Sequence, residues 1–531
     1  MHNNFVRVQI RSAIVTVVFV LASAAPLRVR AQAVSLDPAK IPRIGKVDQR
    51  FASYNVEMAE VTGGDFWKPY HGKSSTARAA QPGQSASTPA GMNPNMYKYR
   101  PPIDLTNPRL RKLAAAIGPA YVRVSGTWAN SVYFANSDNP PDKAPEGFSG
   151  VLTRKEWKGV IDFVHAVNGE LVTSFATSVG TRNAQGVWTP KEANDWLAYT
   201  KSVGGHIAAA EFMNEPTYAA MGGAPKGYNA ADYARDIAVF GPWLKKNSPG
   251  TVFQGPGSVG EGPFAIEMGG TLHSEDLLRA TGPVFDIFSY HLYAGASQRC
   301  ASIGGQVQTT AAAALSAEWL SRPDKINEYY ANLRTRFQPG KPLWITETAD
   351  AACGGNPWAS TFLDTFRYLI EHASLARRGV KVIMHNTLAA SDYGLLDQNT
   401  FKPRPNYWAS VLWHKLMGTT VLDAQASAAP NTYVYAQCLA GRPGGVTLLV
   451  INADRQRSFD LNLPIASERY TLTANQLESS TVELNEKPLR LTNGGDLPQF
   501  EGEPIRAGRV SFAPASITYL TIANAGNANC R

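Results

Sequence analysis

Between residues 51 and 418 the chain alternates short apolar runs with longer stretches of helical period. The runs cover residues 51–57, 121–125, 171–176, 207–213, 252–255, 285–291, 343–347 and 380–386. Helical patterns fall between them, at 154–167, 190–203, 230–246, 325–337 and 358–378. Runs this continuously apolar are the mark of parallel strands covered on both faces, because a half-exposed strand would alternate polar and apolar residues. Eight strand and helix units in succession predict an α/β fold, a (β/α)8 barrel with insertions.

The texture changes after residue 419. Short β-rich runs at 432–438, 445–451, 459–463, 470–473, 481–484 and 516–522 are separated by turn residues and show no helical period. They predict an appended antiparallel β-sandwich over 419–531. Residues 32–50 read as an extended segment packing on that β-domain. Residues 72–95, rich in Ser, Ala, Pro and Gly, read as a long loop within the barrel, and 297–323 as an insertion that walls one side of the cleft.

Residues 1–31 have the form of a signal peptide. Arg7 and Arg11 precede the apolar stretch 13–25, and Val29-Arg30-Ala31 offers a small-residue cleavage site. No later run approaches the roughly 18 apolar residues of a membrane span. The expectation is a secreted or periplasmic monomer with no membrane attachment after processing. Removing residues 1–31, which carry four arginines and no acid, lowers the formal charge from +9 to +5. That balance suits an anionic substrate, and no basic cluster interleaved with aromatics points to nucleic acid. Four cysteines allow three pairings, and position favours Cys300 with Cys353 and Cys438 with Cys530, each pair within one domain. CxxC and HxxxH spacings are absent, so neither a metal site nor a cofactor is expected.

Chemistry concentrates at two strand ends. Residues 207–213 run into Asn214-Glu215-Pro216, and the run at 343 ends in Thr346-Glu347-Thr348. These place carboxyl groups after strands four and seven, on the rim where barrel active sites form. A retaining glycosidase needs such a pair, one carboxyl group donating a proton and the other attacking the sugar. Glu211, four residues before Glu215, is a rival carboxylate on the same face of the strand if alternation continues. Arg123 reads as a structural partner for an interior acid, and His291 as a satisfied histidine near the site.

These motifs resemble those of glycoside hydrolase family 79, the heparanase and β-glucuronidase family. Asn214-Glu215-Pro216 and Trp344-Ile345-Thr346-Glu347-Thr348, followed by Cys353-Gly354-Gly355, look like its acid/base and nucleophile strands. His385-Asn386-Thr387-Leu388, Ser391-Asp392-Tyr393-Gly394-Leu395 and Pro405-Asn406-Tyr407-Trp408 look like its eighth-strand region, and Tyr121 to Thr127 like its second-strand turn. The resemblance implies a β-glucuronidase acting on a glucuronic-acid glycoside or acidic polysaccharide, with Glu215 as acid/base and Glu347 as nucleophile. It further implies that Asn214 binds the sugar 2-hydroxyl, that Tyr293 donates to the nucleophile, and that Glu57 and Thr127 contact the sugar. Amides near Gly354 and the Tyr393 hydroxyl would receive the substrate carboxylate. Cys353 departs from the small residue usual in that loop. A xylan- or glucan-directed barrel enzyme and a non-catalytic carbohydrate-binding protein are the alternative readings.

Overall fold

The structure, a computed structural model, describes residues 1–2, 34–70, 88–424 and 429–531. The segment read as a signal peptide, apart from its first two residues, and most of the 72–95 loop therefore lie outside the described residues. Eight parallel strands close into a barrel: Ala52–Glu57, Tyr121–Ser125, Glu170–Ser174, Ile207–Glu211, Val252–Ser258, Ile287–Tyr293, Leu343–Ala349 and Val380–His385. The eighth strand pairs with the first, Ile383 beside Ala52. The eight apolar runs match these strands within a few residues, and the five helical patterns match helices such as Arg154–Ala166 and Ala230–Asn247. Among the described residues no helix is long and apolar enough to cross a membrane.

Alternation along each strand divides the barrel into two cores. Val122, Val124, Phe288, Tyr290 and Leu292 point outward into the large core beneath the helices. The inward residues change character with height. A lower layer of Val172, Ala209, Ile287, Trp344, Val382 and Met384 is apolar and plugs the lumen. Above it the same inward faces carry Glu57, Arg123, Glu211, His291 and Asn386, all buried. A plug below and polar side chains above make a floor and a site.

The C-terminal strands form a large, mostly antiparallel sheet that also takes in Arg43–Lys46, beside a three-stranded sheet containing Val34–Ser35, Phe459–Leu463 and Gly508–Phe512. The central strands Val446–Asn452 and Ser516–Ile522 of the large sheet are buried on both faces. Val446, Leu448 and Val450 meet the small sheet, while Leu449 and Ile451 pack into the barrel's core. Strands Arg43–Lys46 and Met417–Leu422 pair with each other, which joins the chain before the barrel to the chain after it. Cys438 and Cys530 are bonded in this region.

Candidate active site

Strict alternation would turn Glu347 away from the lumen, because Trp344 points inward and Ile345 outward. The seventh strand breaks register on both sides here: Ile345 pairs with Ile383, yet the next pair is Thr348 with His385. This is a bulge, and it returns Glu347 to the inward face. Asn55, on the first strand, donates from Nδ2 to the Thr346 carbonyl at 3.1 Å and fixes the bulged peptide. Glu215 reaches the same space by a different device. The fourth strand ends at Glu211, so alternation does not extend to Glu215, whose φ of 49° and ψ of 62° are left-handed. Such a conformation costs about 1–3 kcal/mol in a non-glycine residue and needs outside support. Asn130 supplies it, donating to the Asn214 carbonyl at 2.8 Å and accepting from the Asn214 amide at 2.9 Å.

The two carboxylates differ in their partners. Glu347 accepts from Tyr293 Oη at 2.5 Å, Asn386 Nδ2 at 3.2 Å and Arg123 Nη1 at 3.1 Å. Glu215 is 15% exposed and has His291 Nδ1 at 3.0 Å. Burial pushes Glu215 up to about 7 against the pull of Arg123, with the Glu211 charge adding to the rise. Burial also raises Glu347, but the Arg123 charge and the Tyr293 hydroxyl oppose it. Three donors favour the ionised form of Glu347, and the near-absence of donors favours the protonated form of Glu215.

His291 lies between them, its Nδ1 3.6 Å from Glu347 Oε2. Burial lowers it to about 4, so it is neutral at ordinary pH. Its Nε2 faces Arg123 Nη2 at 3.4 Å and accepts, which leaves the hydrogen on Nδ1 to donate toward Glu215. Glu215, His291 and Glu347 each bring one atom within 4.8 Å of the other two, a spacing that a metal ion could also use. Arg123, however, already places its fixed positive charge against Glu347, where it would compete directly with a cation.

Arg123 is the hub. Fully buried, it also donates to Glu211 Oε1 at 2.5 Å and to Asn214 Oδ1 at 2.7 Å. Glu211 is thereby committed, with Ser125 as a further donor at 2.8 Å, and is 1% exposed. The pairing expected of Arg123 exists, but it reaches Glu347 and Asn214 as well as the interior acid Glu211. His291, read as merely satisfied, bridges both carboxylates.

Glu57, Thr127, Tyr293 and Tyr393 line the cleft with Glu215, Glu347 and Asn386. Burial, followed by the Glu347 charge, holds Glu57 well above the usual carboxylate range, against the pull of Arg123. Gly126 lets it in, since a Cβ there would collide with Glu57 Oε2. Asn386 Nδ2 is also 3.3 Å from Tyr393 Oη, linking that phenol to Glu347. Gly354 does not line the cleft. Its neighbours Ala352 and Cys353 do, and a Cβ on Gly354 would strike Trp67, Arg299 and Ser391. Cys300 and Cys353 are bonded, and Ala352 and Gly295 share a backbone hydrogen bond of 2.9 Å, so the loops after strands six and seven move as one.

Asn130 was not legible as a site residue, being one polar residue in a loop with no motif around it. Asn130→Ala is expected to reduce kcat on an alkyl glycoside by about ten- to a hundredfold, because the Glu215 carboxyl loses its fixed direction. The loss on an aryl glycoside with an activated phenol should be much smaller. A purely structural role would lower the unfolding temperature and slow both substrates equally.

Heparanase-like protein 1 of Arabidopsis thaliana is 28% identical over 486 residues, covering 81% of this chain and 86% of that protein. Baicalin-beta-D-glucuronidase of Scutellaria baicalensis is 26% identical, covering 79% and 83% respectively. Among solved structures, a 4-O-alpha-L-rhamnosyl-beta-D-glucuronidase from Fusarium oxysporum superposes with a TM-score of 0.62 at 13% identity, over 92% of this chain and 100% of that one, a likeness of fold. The model of the glycosyl hydrolase family 79 N-terminal domain matches residues 101–372, more than half of the chain, and the protein belongs to glycoside hydrolase family 79.

Proposed function

We propose that the protein is an exported retaining β-glucuronidase, with Glu347 as nucleophile and Glu215 as acid/base. The observation that carries this reading is the pair of unlike carboxylates meeting across His291, their nearest oxygens within 4.8 Å. Retaining enzymes hold their two carboxyl groups about 5–5.5 Å apart, whereas inverting enzymes leave about 6.5–9.5 Å for a water. Glu347 attacks the anomeric carbon while the proton on Glu215 passes to the leaving oxygen. Glu215, now ionised, takes a proton from water, whose oxygen displaces Glu347 from the sugar. Two inversions give net retention.

The glucuronide specificity is supported by relatives that are glucuronidases and by the polar end of the cleft. There the Tyr393 hydroxyl lines the cleft and accepts from Asn386, which leaves its own hydrogen for an anion. The two disulfides support an oxidising compartment, secreted or periplasmic. Chromogenic β-glucuronide, β-glucoside and β-xyloside compared side by side test the assignment. Release chiefly from the glucuronide supports it, release chiefly from either other sugar favours a glucan or xylan enzyme, and no release marks a binding protein.

Tyr393→Phe sharpens the test. A hydrogen bond to a charged group contributes roughly 1.5–3 kcal/mol. Its loss should cost glucuronides about one to two orders of magnitude in kcat/KM and leave the weak turnover of glucosides nearly as it was. Equal losses on all three sugars would mean that Tyr393 supports the site generally and that the carboxylate is held elsewhere.

A further inference from the structure

The side of the cleft that receives the leaving group is built from two loops. A proton from Glu215 must reach the leaving oxygen, so the aglycone lies against the segment that follows Glu215 and against the loop packed on it. The first, Pro216–Gly222, carries Tyr218 and Met221. The second follows the fifth strand and carries Phe264, Ile266 and Met268. All five line the same cleft as the two carboxylates, and all are half-buried. Half-buried apolar side chains facing a cavity gain by covering an apolar guest.

This wall is preformed. Tyr218 Oη donates to the Ile266 carbonyl at 2.7 Å, and the Ile266 amide donates to the Gly260 carbonyl at 2.9 Å. The Thr217 carbonyl accepts from the Leu272 amide at 2.9 Å, which ties the two loops again. Phe264 lies under the Arg322 guanidinium at 4.6 Å. Between the fixed rings, Met221 and Met268 are unbranched and polarisable, suited to aromatic guests of differing outline.

Among the described residues lining the cleft there is no lysine or arginine. Arg322 over Phe264 is committed to Glu318 and to the carbonyls of Ala294 and Val307, Arg299 to Asp392 and the Cys353 carbonyl, and Arg123 beneath to Glu211 and Glu347, while the Lys325 ammonium stands behind the Phe264 ring at 5.9 Å. An anionic polysaccharide would bring further carboxylates or sulfates to this side and call for charged partners.

We infer that the aglycone subsite takes a compact apolar, aromatic alcohol, making the substrate a small aryl or polycyclic β-glucuronide rather than an acidic polysaccharide. This rests on the β-glucuronidase reading and names its leaving-group class. The net change is ordinary hydrolysis: the bond between the sugar C1 and the aglycone oxygen breaks, and water supplies hydroxyl to C1 and hydrogen to the aglycone.

The test measures kcat/KM for 2-naphthyl, phenyl and methyl β-glucuronides and for a hyaluronan tetrasaccharide ending in glucuronic acid. The two aryl leaving groups are of similar acidity, so a difference between them reports the subsite. The 2-naphthyl compound should exceed the phenyl by about five- to tenfold, from one additional buried ring. The tetrasaccharide should be at least about a hundredfold slower than the 2-naphthyl compound. Met221→Gln and Met268→Gln, close in shape and therefore tolerated by the fold, should each lower the naphthyl-to-methyl ratio about fivefold. Equal rates for naphthyl and phenyl with ratios unmoved in both variants would overturn the proposal, as would a tetrasaccharide turned over as fast as the naphthyl compound. The matched β-glucosides separate the two readings. Inert glucuronides beside glucosides that show the naphthyl preference would remove the sugar assignment and keep the apolar subsite.

Discussion

Glu347→Gln is expected to lower kcat on a β-glucuronide by at least about four orders of magnitude with the fold intact. The amide keeps the shape of the carboxyl group but cannot form the glycosyl-enzyme ester. Its neighbours tolerate the change, because Glu211 continues to neutralise the buried Arg123 and the Tyr293 hydroxyl can turn to another acceptor. Steady-state hydrolysis of 4-nitrophenyl β-glucuronide, with circular dichroism as the control for folding, measures this. Residual activity above about one per cent in a folded variant would require a different nucleophile.

Glu215→Ala should show a loss that depends on the leaving group. General acid catalysis contributes about 10²–10⁴-fold, and an alkyl glucuronide should lose the upper part of that range. An activated phenol leaves without a proton and should lose far less in the first step. Azide needs no general base and should restore turnover by attacking the glucuronyl-enzyme from the vacated side, giving the β-azide. The pH profile supplies an independent reading. Glu215 donates only while protonated, and burial holds it at about 7. The wild-type kcat/KM should therefore approach its plateau as pH falls to about 6, stand at about half of it near pH 7, and fall toward tenfold per unit above about pH 8. His291, lowered to about 4 by burial, does not change charge in that window. The alkaline limb should disappear in Glu215→Ala. Equal losses on alkyl and activated substrates, with no azide rescue, would move the acid role to another group.

The fold was legible because burial on both faces leaves parallel strands a simple signature, and the eight runs needed no local detail to be counted. The barrel's two acidic strand ends were legible for the same reason, as charges that interrupt apolar runs. What escaped was set by irregular backbone. The bulge at Thr346 depends on Asn55, 291 residues earlier in the chain. The left-handed turn at Glu215 depends on Asn130, whose contact with Asn214 spans 84 residues. Neither partner has a local pattern to mark it. Arg123 was expected to pair inside the barrel, but only the closed lumen brings Glu211, Asn214 and Glu347 to one guanidinium. The motif pointed to amides near Gly354, and the residues of that disulfide-linked loop that line the cleft are Ala352 and Cys353. The short strands Val34–Ser35 and Arg43–Lys46 carry too few residues for periodicity to register.

Trapping with 2-deoxy-2-fluoro-β-glucuronyl fluoride tests the central claim most directly. The fluorine at C2 slows both steps, while the reactive leaving group lets the first proceed, so the covalent intermediate accumulates. The account predicts time-dependent inactivation and a single fluoroglucuronyl ester on Glu347, located by peptide mass spectrometry and absent from Glu347→Gln. An ester on Glu215, Glu211 or Glu57, or inactivation by the fluoroglucosyl analogue alone, would contradict it.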